Sequence, residues 1–504
     1  MKKNILKYSS LLALLGSFFF STHVLAAECA TGTSPTAGCT IDLPNITYTL
    51  TGDIEPDPGD NGIRFNSDNV TLNLTGGILG INQGRGLFYF NDFSTTTMIG
   101  DITVGSDAVS AGIQLNGANN NVITQTGDIS TSGRQSTGVF ILGSDNTINI
   151  TGDMTSSGNS SPSFDITLGS SSNTINMTGN ITSSGNFSHG FILDQSASSN
   201  TINMTGNITT TGGASGFKLD DSESNTINMT GNINTSGDVG VGIWLNNTSH
   251  RNVISMTGDI VTSGANADAI LASSSDGNTI TMTGNIQTSG TAGRGYVTSG
   301  SFTNNTTING DITTTGDSAE AIYMQGGWLS TTTITGNIST TGQQSEGVYL
   351  VSSDENTLVI NGNIITSGTD GDSEPILLSD SDSNTFTLSG AVHSLGGDQA
   401  IALDATSQNN TFTFKRGVSF IGGLENNGGT TNKLIFDMGK ASSYNLDFDE
   451  TTWTIQDLHK PIVSGSAKSM GVSDIDNQAH ILYRRMDPVN DVLSERQRLY
   501  KADQ

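Results

Sequence analysis

Residues 173–185 read NTINMTGNITSSG, and the phrase returns as NTINMTGNITTTG at 200–212, NTINMTGNINTSG at 225–237 and NTITMTGNIQTSG at 278–290. Looser copies run both ways: NTINITGDMTSSG from Asn146, NVISMTGDIVTSG from Asn252, NTLVINGNIITSG from Asn356. With the glycine before Asn or Asp (or its aligned equivalent) as marker, fourteen copies run from Gly52 to Gly390, 338 residues in thirteen steps of 26 on average. A fixed period of this size is the signature of a solenoid.

Each unit reads as three short strands. In the unit after Asn173, Thr174–Thr178 alternates polar and apolar, with Ile175 and Met177 on one face. A turn at Gly179 and Asn180 leads to a second strand containing Ile181. After a variable loop, GFIL at 190–193 makes a third, with Phe191 and Leu193 facing as Ile175 does. The frame recurs as GFKL at 216–219, GIWL at 242–245 and GVYL at 347–350. Period-two alternation broken by Gly, Asn, Asp and Ser means strands, and no helical spacing appears before about residue 474. Three strands per 26 residues in register predict a right-handed parallel β-helix of about 14 coils with a short α-helical C-terminal tail. At about 4.8 Å per coil the rod is on the order of 65 Å long. About five apolar side chains per coil cannot repay the ordering of 26 residues, so coils are stable only when stacked. The asparagine at each turn (Asn173, Asn200, Asn225, Asn252, Asn278) is expected to take left-handed backbone angles and to hydrogen-bond its equivalents along the stack.

Composition agrees with this architecture and restricts the partners. The 504 residues hold 62 glycines, 34% apolar and only 13% charged residues, with a formal charge of −27. Removing Lys2, Lys3 and Lys7 with a leader takes that to −30. Between residues 42 and 414 the basic residues are Arg64, Arg85, Arg134, Lys218, Arg251 and Arg294. Binding nucleic acid or anionic headgroups needs clustered cations, so nucleic-acid partners are set aside.

Residues 1–27 carry those three lysines, an apolar run at 11–20 and VLAA at 24–27, the pattern of a secretory signal peptide. No later run reaches the roughly 18 apolar residues of a membrane helix. Cys29 and Cys39 are the two cysteines; in an exported chain they read as one small disulfide loop tying down the leading edge. A metal-binding or reactive thiol pair would need a His partner nearby, which the sequence lacks after the leader.

Residues 28–408 are read as β-helix passenger repeats. From Asn409 the repeat dissolves into a segment rich in large aromatics (Phe412, Phe414, Phe420, Phe436, Tyr444, Phe448, Trp453), read as a cap over 409–458. A linker and helix follow at 459–504, with Ile475, Ala479, Leu482 and Met486 at helical spacing and a restart at Asp487-Pro488.

Signal, Asn/Gly/Thr-rich repeats, aromatic cap, WTIQDLHKPIVSGSAKSMG from Trp453 and YRRMDPVNDVLSERQRL from Tyr483 together resemble the passenger of a Gram-negative type V autotransporter. The resemblance implies that the cap acts as an autochaperone and that the tail threads an outer-membrane β-barrel. It further implies display at the cell surface or release outside it. The departure is that no barrel strands follow before Gln504, so the expected translocator is absent from this chain and a periplasmic location follows if none exists.

Catalytic expectations are negative. Polysaccharide-cleaving β-helices need carboxylates converging on one groove, often with a cation. The acidic runs here, Asp220-Asp221-Ser222-Glu223, Asp370-Gly371-Asp372-Ser373-Glu374 and Asp380-Ser381-Asp382, fall in loops of different coils and read as solvated turns. Gly316-Asp317-Ser318-Ala319 and Gly371-Asp372-Ser373-Glu374 lack the second glycine of a serine-protease nucleophile loop, and no His lies between the leader and His189. His189, His250, His393, His459 and His480 are scattered singly. Trp244, Tyr323, Trp328 and Tyr349 sit at or near outward positions of the third strand, either as a sugar-stacking stripe or as packing under the loops. No catalytic, cofactor or metal residue is assigned. The expected function is a non-enzymatic adhesion or self-association rod engaging an identical rod or a host or matrix glycan. The alternatives are a polysaccharide-degrading enzyme and a truncated, non-functional fragment.

Overall fold

The computed structural model describes residues 27–30, 32, 37–105, 110–369, 371–397, 399–438, 443–445, 448, 451–458, 462–465 and 469–472. The expected signal peptide up to residue 26, the expected C-terminal helix, His459 and His480 lie outside the described residues.

The chain winds as a parallel β-solenoid of three sheets. The first strand of each unit, such as Thr174–Thr178, enters sheet II; the second, such as Ile181–Ser183, enters sheet III; the third, such as Phe191–Asp194, enters sheet I. Among the described residues, sheets I and II each hold seventeen strands and sheet III fourteen. Pairing is in register: Ile175 lies beside Ile202, Met177 beside Met204, Ile181 beside Ile208, and Phe191 beside Phe217. The predicted inward set is the observed core, with Ile175, Met177, Ile181, Phe191 and Leu193 of one coil all buried.

Stacking like on like turns inward side chains into columns. The rings of Phe164, Phe191 and Phe217 stack near-parallel at 4.4 and 4.9 Å between centroids. Such pairs add about 0.5–1.5 kcal/mol each beyond burial. The threonine ending many sheet III strands is buried for a different reason. Thr210, Thr235 and Thr262 donate Oγ1–H to the carbonyls of Ala214, Gly240 and Ala267 at 2.6 Å, closing the following loop from within.

The turn between sheets II and III needs glycine. Gly179 has φ +141°, and a Cβ there would lie 2.0 Å from the Gly152 carbonyl oxygen of the preceding coil.

One expectation is corrected. Left-handed angles do occur at the turn entering sheet II, but on the residue before the asparagine: Ser172 (φ 58°), Ser199 (57°), Ser224 (57°) and Arg251 (55°). Asn173, Asn200, Asn225 and Asn252 are buried, with side chains hydrogen-bonded along the rod axis, which their neighbours' bend makes room for.

Cys29 and Cys39, both buried, form a disulfide where the first strand, Ala27–Glu28, pairs with Cys39–Ile41. At the other end sheet II runs on through Thr411–Lys415, Lys433–Asp437 and Thr454–Asp457, past the point where the sequence repeat fades. Phe412, Phe414, Phe436 and Trp453 fill those coils. Ser443–Asn445, Ile462–Gly465 and Ser469–Val472 then pair antiparallel, ending the parallel ladder.

Candidate functional site

The most regular surface is the outer face of sheet II. Its five-residue strands bury positions two and four and present one, three and five. From Thr47–Thr51 to Thr385–Ser389, fourteen strands pair without a register shift. Every outward residue in these fourteen rows is Thr, Asn or Ser except Ile99, Val122, Val253 and Val359. None is charged, on a chain of formal charge −27. The first outward cation is Lys415, one row later. Along the middle column, Nδ2 of Asn176, Asn203 and Asn228 donates to Oδ1 of Asn149, Asn176 and Asn203 at 2.8, 2.8 and 2.9 Å. The amides form a rail at coil pitch, and the flanking threonines are stiff at χ1 because they are β-branched.

Sheet I carries the aromatics. Trp244, Tyr323 and Tyr349 do lie in its outward column, half-buried, while Trp328 sits at the corner before sheet II and packs on Phe302 at 4.4 Å. The ring faces are already engaged. The Arg294 guanidinium lies 4.1 Å from the Tyr323 centroid, Tyr349 meets Tyr323 edge-on at 5.6 Å, and the Lys218 ammonium lies 5.1 Å from the Trp244 ring. Arg294 also pairs with Glu320, and Lys218 with Asp220 at 3.0 Å. Successive coils cover one another's rings along the axis, so a sugar would meet edges instead of stacking faces.

The acidic runs are spent on the fold. Asp220 accepts from Asn247 Nδ2 at 2.8 Å, Asp221 from Thr248 Oγ1 at 2.8 Å, and Glu223 pairs with Arg251. Asp382 accepts the Gln408 backbone N–H at 2.6 Å, and Asp380 accepts from Ser352 Oγ at 3.1 Å. Asp317 accepts the Gln343 N–H at 2.9 Å, which ties its loop to the next coil. The histidines stay apart. His189 is buried and accepts the Ser215 N–H at Nδ1, 2.8 Å, and burial pulls its pKa down to about 3. His250 accepts the Asp276 N–H at 2.9 Å, and His393 bonds Ser419 Oγ at 3.1 Å. Among the described residues no three His, Cys, Asp or Glu side chains gather as a metal would require.

Two half-buried acids were not singled out from the sequence. Asp165 and Asp194 occupy adjacent strands of sheet I, and each has an enclosed Oδ1 without a hydrogen-bond partner. Burial, with Asp194 beside it, raises the Asp165 pKa to about 8, and burial likewise raises that of Asp194. Asp268 is raised to about 7 by burial, against the pull of the Arg294 N–H and guanidinium. Asp165 stands at the register position held by Ile192 and Lys218 in the next coils. A polar residue in a column of larger side chains was the available signal.

No family model matches the chain, and no curated protein matches it. Among solved structures it is similar to the A-module of the mannuronan C-5 epimerase AlgE4 of Azotobacter vinelandii, at 10% identity and a TM-score of 0.23. That match covers 78% of this chain and 91% of that one, and a likeness this loose carries nothing about chemistry.

Proposed function

We propose that this chain is an exported, non-enzymatic rod that works at the cell surface or outside it. It would engage an identical rod or a host or matrix glycan through many weak polar contacts. The observation that carries this reading is the uncharged Thr/Asn/Ser face of fourteen rows on a chain of formal charge −27. The acidic loop residues Asp221, Glu223, Asp317 and Asp382 are bonded to neighbouring coils, which favours binding over catalysis. Affinity would come from repetition along the rod, each added row raising the effective concentration of the next. The resemblance to autotransporter passengers supports export and display.

The test is to compare cells exporting the chain with cells lacking it for clumping and for retention on glycan-coated surfaces. In parallel, the purified chain is incubated with labelled polysaccharides. Increased clumping or retention without released fragments is the expected result. Depolymerisation of any polysaccharide, or indifference in both cell assays, contradicts the reading.

A further inference from the structure

We propose that the outer face of sheet II is a docking surface for the same face of a second copy of this chain. The inference rests on the binding-rod reading above and names its partner.

Electrostatics select the face. Two rods of formal charge −27 repel wherever acidic loops meet, and close approach is least opposed where fourteen successive rows carry no charge. Sheet III is the other weakly charged side, but its three-residue strands, such as Ile181–Ser183 and Ile208–Thr210, present a single outward column. Size agrees as well. Fourteen strands of five residues make a patch about 60 Å by about 13 Å, on the order of 800 Å², which is what one partner of a stable protein–protein interface contributes.

Periodicity favours a copy of this chain over other occupants. The face repeats at the coil pitch, and a second solenoid brings the same pitch, so that every row can find an equivalent partner at once. The asparagine rail and β-branched threonines are held before contact, so little side-chain freedom is lost on docking. Two such faces can interdigitate as polar zippers do. Docking a face on itself requires a two-fold axis lying in the interface, which closes the assembly as a dimer; set across the rods, that axis runs them antiparallel. The axis then passes between Thr201–Thr205 and Thr226–Thr230, rows seven and eight of fourteen, and brings Asn203 of one copy opposite Asn228 of the other.

The experiment is sedimentation of the purified full chain over a concentration series with three charge variants. N203D/N228D and N203K/N228K each place like charges across the axis and are expected to weaken dimerisation more than about a hundredfold. An equimolar mixture of the two is expected to restore it, which a folding defect would not do. T182D/T209D, on sheet III, is expected to dimerise as the unmodified chain does. A chain monomeric at all concentrations, unimpaired association of N203D/N228D, or a mixture that stays monomeric while both variants keep their β-sheet spectra would overturn the proposal. Glycan retention by a strictly monomeric chain would also overturn it while leaving the binding-rod reading standing.

Discussion

Asn200 Oδ1 accepts two hydrogen bonds from Asn173, one from the backbone N–H at 3.0 Å and one from Nδ2 at 3.0 Å. The second Nδ2 hydrogen of Asn173 goes to the Gly143 carbonyl at 2.9 Å. The pattern repeats from Asn121 through Asn146, Asn173, Asn200 and Asn225 to Asn252, inside the corner between sheets I and II. Each amide satisfies buried backbone groups that the bend would leave unpaired. At Ser330 the run is interrupted: the hydroxyl accepts the Asn304 N–H at 3.2 Å, and Ser330 N–H donates to Asn356 Oδ1 at 3.0 Å.

Breaking and mending this run should move stability in opposite directions. Asn200→Ala removes the acceptor of two buried donors and is expected to cost roughly 2–5 kcal/mol. Ser330→Asn supplies the missing amide and is expected to add about 0.5–1.5 kcal/mol. Urea midpoints read both; equal effects of one sign would mean that the amides are passengers of the fold.

A second buried pair shows how departures from the repeat come in couples. Tyr89 O–H donates to Thr96 Oγ1 at 2.7 Å, and Thr306 Oγ1–H donates to the Tyr296 hydroxyl oxygen at 2.8 Å, all four residues facing inward. Tyr89→Phe and Thr96→Val should each cost about 1–3 kcal/mol by stranding the other's hydroxyl, whereas the double substitution should cost clearly less than their sum. Strict additivity in the thermodynamic cycle would contradict the pairing.

Stability should depend on pH through the buried acids. Asp165, with its folded pKa raised to about 8, keeps its proton while the unfolded carboxyl ionises near its ordinary value of 3.8. Its contribution is therefore fully present below about pH 4 and is lost as pH rises to about 8. Asp268 has the same sign up to about 7. His189, lowered to about 3, has the opposite sign: its contribution is present above about 6.5 and lost as pH falls toward 3. Asp165→Asn should flatten the decline between pH 5 and 8 and raise the urea midpoint most at pH 8. An unchanged pH profile in that variant would contradict the enclosure of Asp165.

The architecture was legible because inward positions such as Ile175, Met177 and Phe191 repeat at fixed offsets, and period two fixes which face they take. The asparagine run was half legible. Its spacing showed stacking, but the left-handed angle fell on Ser172 and Ser199, since local preference cannot say which of two adjacent residues bends. The sheet II face was visible only as a polar composition. That its threonines and asparagines share one side, uninterrupted by charge, follows from a register that pairs Asn176 with Asn203 and Asn203 with Asn228. Asp165 was hidden for the converse reason: its burial depends on the coils above and below it.

The most direct test of a rod that acts through its uncharged face is the salt dependence of self-association, measured by sedimentation velocity of the purified chain at low and high ionic strength. Salt screens the repulsion between two acidic rods but leaves contacts between uncharged threonines and asparagines in place. The expected result is a reversible doubling of mass that strengthens as salt is added. A monomer under all conditions, or an association that salt abolishes, would contradict the docking of this face on itself.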